Sequence, residues 1–303
     1  MTTGTYHDPV LLTESVDALG IKPNGVYADV TFGGGGHSRE ILRRLGKNGK
    51  FIAFDQDEDA QRNRIEDERF VLVQHNYKYL KQFLRYYKAL PLDGLLADLG
   101  ISSYQVDEAA RGFSIRFDAP LDMRMNRSLE KTAADLVNEM EEHQLVEIFS
   151  GYGEVRNART LVRKIVKERD RQKIETIGQF REAIRSCVDR QHENQYYAKV
   201  FQSLRIAVND ELGALKDLLL QVPEVMKEGG KLVVITYHSL EDRLVKNFIQ
   251  KGLFEGEALK DLYGNTPGLL FEASTRKPIT PGEEEVTRNP RARSAKMRVA
   301  ERI

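Results

Sequence analysis

The chain has 303 residues, 41% hydrophobic and 30% charged, a balance that suits a soluble globular protein and excludes a disordered one. Lysine and arginine number 46 and aspartate and glutamate 46, so overall charge announces no nucleic-acid partner and any such case rests on local patches. No apolar run reaches the roughly 20 residues of a membrane span, no secretory signal pattern opens the chain, and the lone cysteine, Cys187, excludes an internal disulfide or a cysteine zinc site and fits a reducing cytoplasm.

The first third alternates strand and helix signals. Residues 25–32, GVYADVTF, read as a buried strand, followed by Gly33, Gly34, Gly35 and Gly36. SREILRRLG then reads as a helix, with Ser38 as N-cap, Ile41, Leu42 and Leu45 on one face, and Gly46 as the stop. Further strands are expected over 50–55, 69–75 and 92–100, separated by helical runs. Alternation with near-continuous apolar strands predicts a parallel sheet covered on both faces. From about residue 105 to 209 helical patterns take over. Residues 204–226 then read as one long helix, and 229–237, GGKLVVITY, as a buried strand. The tail ends in an apolar alternation suited to one more strand. The expected organisation is a discontinuous α/β core over 1–105 and 210–303 with an all-helical insert over 106–209.

Four glycines after a first strand imply positive φ or a close approach to the backbone. A phosphate-gripping P-loop needs Gly-Lys-Ser/Thr, but His37 and Ser38 follow here. The dinucleotide fingerprint needs a glycine at 38 or 39, where Ser38 and Arg39 stand. What remains is a nucleoside ligand without a pyrophosphate, of which S-adenosylmethionine is the obvious example. Asp55, at the end of the second strand about 20 residues on, sits where an acid accepts hydrogen bonds from ribose hydroxyls. A surface turn would also end a strand in a carboxylate; the glycines and Asp55 together favour the nucleoside. Asp98 ends the fourth strand, on the side of an open sheet where ligands bind, although a capping role for the next loop is as good a reading of that segment alone. His238 follows the strand 229–237 and would project from the same side, unless it is a packing residue.

Eight segments resemble the ribosomal-RNA small-subunit methyltransferase H family, also called MraW: HDPVLLTE, DVTFGGGGHS, DLGISSYQVD, RGFS, PLDMRM, SLRIAVNDEL, YHSLEDRLVK and NPRARSAKMR, in that order. The resemblance implies a class I S-adenosylmethionine-dependent methyltransferase with a Rossmann-like sheet and a helical insert. It implies methylation of the exocyclic N4 amine of a decoding-region cytidine in 16S ribosomal RNA, within the small ribosomal subunit. Carried over by motif, the cofactor contacts are Gly35, Gly36, His37, Asp55, Asp98 and Gln105, with Tyr77 as the aromatic residue after the third strand. Ala119 stands in FDAPLDMRM where a glycine is expected. Asp98 is the candidate carboxylate for accepting the amine's N–H and helping the proton leave, and Ser102, Ser103 and His238 are further candidate helpers.

A base inside paired RNA is out of reach, so a positive docking surface is needed. Two basic clusters qualify: Arg156, Arg159, Arg163, Lys164, Lys167, Arg169, Arg171 and Lys173, and in the tail Arg288, Arg291, Arg293, Lys296 and Arg298. Each could equally be a solvated face. The six histidines show no compact ligand spacing, so no structural metal is expected. A nicotinamide oxidoreductase and a non-catalytic RNA-binding assembly factor are the rival readings, and the oligomeric state stays open, a homodimer included.

Overall fold

The computed structural model describes residues 9–258 and 267–303; His7, in the first segment of the resemblance, lies outside them. The chain forms two compact units, Met1–Gly100 with Leu212–Ile303, and Ile101–Glu211.

The first unit is a seven-stranded sheet in the order β3-β2-β1-β4-β5-β7-β6. Its strands are β1 (Val26–Asp29), β2 (Lys50–Asp55), β3 (Phe70–Gln74), β4 (Leu92–Asp98), β5 (Met226–Thr236), β6 (Phe271–Ala273) and β7 (Lys296–Arg302). The first five run parallel, and β7 and β6 continue the sheet antiparallel. Around it lie α1 (Leu12–Leu19), α2 (Gly36–Arg44) and α3 (Leu80–Tyr86). Both faces are covered, as period-two alternation requires of a sheet between helices. Phe51, Ala53, Leu96, Val233 and Ile235 pack on one side with Val16 and Leu19 of α1 and Ile41 and Leu42 of α2. Their neighbours Ile52, Phe54, Leu95, Ala97, Leu232 and Val234 pack on the other side with Leu80 and Leu84 of α3. The chain steps from β1 to β2 on one side and returns to β4 on the other, so the carboxyl ends of β1 and β4 flank the switch point where open sheets bind ligands.

The second unit is helical: α4 (Ser103–Asp107), α5 (Ala133–Glu139), α6 (Glu142–Gly151), α7 (Ala158–Arg169), α8 (Ile177–Ile184) and α9 (Glu193–Asn209). Ser102 with Gln105, Thr132 with Asp135 and Thr176 with Gln179 form reciprocal capping boxes, so the helix starts are written locally. Leu145, Phe149, Leu161, Ile165, Phe180, Val200 and Leu204 make its core. Ala119, in place of the expected glycine, is 8% exposed and its carbonyl accepts from Ile177 N at 2.9 Å. The chain returns to the first unit through α10 (Glu211–Val225), and α11 (Ser239–Lys251) and α12 (Glu283–Arg288) complete the helices.

Two local expectations are corrected. The long helix over 204–226 is broken between α9 and α10 at Asp210, which takes a left-handed φ of 48°. Asn209 there accepts from Met125 N at 2.7 Å and donates to the Met123 carbonyl at 2.8 Å, which fixes the end of α9 against its own unit. Apolar periodicity on both sides of the break conceals it. Ser38 is not an N-cap either. The left-handed Gly35 holds that position, and Ser38 lies inside the first turn of α2, fully buried.

Candidate functional site

The carboxyl end of the sheet gathers three aspartates, one each from β1, β2 and β4. Asp29 is 1% exposed and fully engaged: one oxygen accepts from the Ser38 hydroxyl at 2.7 Å, the other from Thr31 N at 3.0 Å. The Thr31 hydroxyl also accepts from Asp98 N at 2.6 Å. Burial raises the Asp29 pKa, and those hydrogen bonds partly oppose the rise. Asp29 thus ties the end of β1 to α2, and through Thr31 to β4. It is a frame for the site, a role visible in the sequence only as part of a motif.

The glycine turn crosses this frame. Gly33 and Gly35 adopt φ of 50° and 75°, values that L side chains rarely take. A Cβ on Gly35 would lie 2.9 Å from the Phe32 ring, and one on Gly36 2.1 Å from Cγ of Pro9. Positive φ accounts for Gly33 and Gly35, and close packing of the protein on itself for Gly35 and Gly36. Arg39 donates to the Gly34 carbonyl at 2.6 Å and Asn63 to the Gly33 carbonyl at 3.0 Å, holding the turn from outside.

Asp55, half-buried, accepts from Gly33 N at 2.7 Å and from Asp57 N at 2.9 Å. Each oxygen keeps a second lone pair, since a carboxylate has about four acceptor sites. Burial pushes its pKa up to about 6, with those amide bonds opposing and the nearby Asp57 and Asp29 charges adding.

Asp98 is likewise pushed up to about 6, chiefly by burial. Its Oδ1 accepts from the Tyr237 hydroxyl at 2.8 Å, while Oδ2 has no hydrogen-bond donor among the described residues. Nδ1 of His37 lies 3.8 Å from Oδ2, beyond hydrogen-bonding range. His37 is 6% exposed, and its Nε2 lies 3.1 Å from the Val10 carbonyl. A carbonyl only accepts, so Nε2 carries the ring proton; burial lowers the pKa and keeps the ring neutral. Nδ1 is therefore a bare acceptor facing a second bare acceptor, Asp98 Oδ2. Both acceptors reach solvent and neither has a donor among the described residues, so a ligand that brings N–H or O–H groups can meet both. Tyr237, which orients Asp98, and Thr31 are missed by motif reading; a tyrosine and a threonine directly at strand ends are the only signal either leaves.

The remaining expected residues separate. Tyr77 opens a turn right after β3, partly buried against the sheet, at the same carboxyl end. His238 is the N-cap of α11: its Nδ1 accepts from Glu241 N at 3.4 Å, and the Glu241 carboxylate accepts from Tyr237 N at 2.9 Å. Its side chain is 7% exposed; Nδ1 serves the cap, while Nε2 stands 3.3 Å from Glu241 Oε1 and has no hydrogen-bond partner among the described residues. Ser102 and Gln105 belong to the second unit and are joined in the capping box of α4, with Gln105 buried.

The basic clusters are smaller than their residue counts. In the first, Arg169 turns inward and donates to the Val137 and Met140 carbonyls at 3.0 and 2.7 Å, closing the end of α5. Arg159, Arg163, Lys164 and Lys167 stay exposed along α7, because Leu161, Val162 and Ile165 take the inner face. In the tail, Arg298 forms a forked pair with Asp242 at 2.6 and 3.1 Å, and Lys296 lies 3.7 Å from the same carboxylate. Those two charges serve the packing of α11 on β7.

The profile of the MraW methylase family matches residues 4–303. The chain is 56% identical over 300 residues to the ribosomal RNA small subunit methyltransferase H of Bacteroides fragilis, covering 98% of each chain. It is 56% identical to the protein of that name from Cytophaga hutchinsonii, over 98% of this chain and 99% of the other. The corresponding Flavobacterium johnsoniae protein is 51% identical over 100% of this chain and 99% of its own.

Proposed function

The chain belongs to the MraW methylase family, and from that premise we propose that it methylates small-subunit ribosomal RNA with S-adenosylmethionine as donor. The acceptor in this reading is the exocyclic N4 amine of a decoding-region cytidine in 16S RNA, and the enzyme works in the cytoplasm on RNA of the small ribosomal subunit. S-adenosylmethionine supplies a methyl group already activated by its sulfonium, so the protein contributes placement more than nucleophilic chemistry. The sheet end fits such a donor. Asp55 offers acceptor lone pairs suited to a ribose diol, Tyr77 an aromatic ring at the neighbouring strand end, and the turn over Gly35 and Gly36 a side-chain-free backbone. His37 and Asp98 supply two acceptors for an ammonium group. Gln105 and Ser102 stay in the proposed set through the family resemblance alone.

The observation that carries this reading is the opposition of Asp98 Oδ2 and His37 Nδ1 with no protein donor between them. Asp98 also suits a second task. A cytosine amine is a weak nucleophile because its lone pair is delocalised into the ring. A carboxylate accepting one of its N–H bonds draws that lone pair out of conjugation and takes up the proton as the new bond forms. With a pKa of about 6, Asp98 is mostly ionised at neutral pH yet basic enough to hold that proton. Tyr237 keeps the carboxylate aimed. The helical unit, with the exposed cations of α7, is the proposed RNA-recognition element, through phosphate contacts that position rather than specify.

The test is transfer of labelled methyl from S-adenosylmethionine to small-subunit particles, followed by nucleoside analysis of the RNA. Label in N4-methylcytidine of the decoding region is the expected result. Label on another nucleoside overturns the position, and binding of particles without any transfer favours the assembly-factor reading.

A further inference from the structure

Residues 69–92 carry five cations, Arg69, Lys78, Lys81, Arg85 and Lys88, and no aspartate or glutamate, within a chain whose total charges balance. The same stretch holds Tyr77, Tyr79, Tyr86 and Tyr87, four of the chain's 12 tyrosines. It spans β3, the following turn, α3 and the segment that enters β4. The inner face of α3 is settled by Leu80 and Leu84, both fully buried. The outer face is unusual. Of the ten large hydrophobic side chains exposed among the described residues, four fall here: Tyr79, Tyr86, Tyr87 and Leu90, with Tyr86 at 77% exposure. An isolated exposed tyrosine needs no explanation, but a cluster of them does.

These rings pack on one another and on their neighbours. Tyr79 packs edge-on against His75 with centroids 4.7 Å apart and lies under the Lys78 ammonium at 5.3 Å. Tyr86 and Tyr87 meet at right angles, 4.9 Å apart. Gln221 of α10 anchors the start of α3, accepting from Lys81 N at 2.9 Å and donating to the Lys78 carbonyl at 2.8 Å. Arg69 and Lys81 are paired with Asp67 and Glu224; Lys78 and Lys88 form no ion pair among the described residues, and Arg85 forms none within 4.0 Å, though its charge helps lower the pKa of Glu224.

We infer that this outer face of α3 and its flanks is a docking platform for single-stranded RNA, with bases stacking on Tyr79, Tyr86 and Tyr87 and phosphates meeting Lys78, Arg85 and Lys88. Interleaved aromatic rings and unpaired cations are what sequence-tolerant single-strand binding requires, because every base has a π-face and every nucleotide a phosphate. The absence of carboxylates over the whole stretch favours a polyanion over a second copy of a chain that is itself neutral. The platform begins at the carboxyl end of β3, on the same sheet end as Asp55 and Asp98, so RNA held there leads away from the site. The inference rests on the RNA-methylation reading and adds a surface to it on the sheet unit, separate from α7.

The experiment measures binding of a short fluorescein-labelled oligouridine by anisotropy, and of S-adenosylmethionine by calorimetry, for three proteins. These are the wild type, Tyr79→Ala with Tyr86→Ala, and Tyr79→Phe with Tyr86→Phe. The alanine pair is expected to bind the oligonucleotide about tenfold or more weakly, and the phenylalanine pair, which keeps both rings, like the wild type. Cofactor affinity is expected to be the same in all three. Unchanged RNA affinity in the alanine pair overturns the platform. So does a sedimentation shift from dimer to monomer in that pair with RNA affinity intact, which makes the face a self-association surface. If the wild type takes up cofactor and binds no RNA, neither oligonucleotide nor small-subunit particles, the RNA reading itself fails.

Discussion

At the carboxyl end of the sheet, three carboxylates are held in place by backbone amides and hydroxyls, and burial raises all three pKa values. Along α7, Arg159, Arg163, Lys164 and Lys167 project into solvent from a helix whose opposite face does the packing. The first region spends stability to place charge; the second places charge at almost no cost. Substitutions at the sheet end should therefore be large, specific and coupled to pH, whereas those on α7 should be small, additive and coupled to salt.

Asp98→Asn is the strongest way to break this contrast. Transfer at saturating cofactor is expected to fall by about a hundredfold or more, the scale of a lost general base. Cofactor affinity, measured separately, is expected to fall less. The same substitution is expected to raise the melting temperature of the cofactor-free protein at pH 7.5. The sign follows from linkage. The folded pKa of about 6 lies above the ordinary 3.8, so between those values the folded state holds the extra proton. The associated stability is present below about pH 4 and lost as pH rises through about 6. Removing the charge should return on the order of 1–3 kcal/mol at pH 7.5 and nothing at pH 4. Unchanged turnover would discard the chemical role of Asp98, and an unchanged melting temperature would mean that its burial costs little.

Gly36→Ala is next. Its Cβ would stand 2.1 Å from Pro9, so Pro9 or the first turn of α2 must shift. A destabilisation of about 1–3 kcal/mol is expected, read by denaturant unfolding, with weakened cofactor binding. Wild-type stability in this variant would show that the glycine serves only the ligand.

The smallest effect on the fold belongs to α7. Replacing Arg163, Lys164 and Lys167 together with glutamine should change stability by less than about 0.5 kcal/mol. Up to about 0.7 per lost phosphate contact should come off the slope of log affinity for single-stranded RNA against log salt. A slope equal to that of the wild type would remove α7 from the RNA interface.

Much of this contrast was legible in the residues, for physical reasons that differ by element. The strand 50–55 matches β2 residue for residue, because a buried parallel strand is a continuous apolar run and KFIAFD has no competing helical period. The break at Asp210 was not legible, because Asn209 ends α9 through partners more than 80 residues away. Ser38 looked like a cap because serine is favoured there, yet Asp29 claims its hydroxyl across nine residues. The positions of Asp55 and Asp98 at the ends of their strands were legible from the apolar runs they close. Tyr237 was not, since its value lies wholly in the hydrogen bond it gives to a carboxylate 139 residues earlier. In the basic clusters composition overstated the free charge, because Arg169 and Arg298 are consumed by carbonyls and by Asp242.

The most direct measurement is isothermal titration calorimetry of the purified protein with S-adenosylmethionine, and with its demethylated product, at pH 7.5 and pH 5. Two acceptor carboxylates that titrate near pH 6 predict saturable binding at the higher pH, weakened about tenfold or more at the lower. No heat of binding at either pH, or equal affinity at both, would contradict the account.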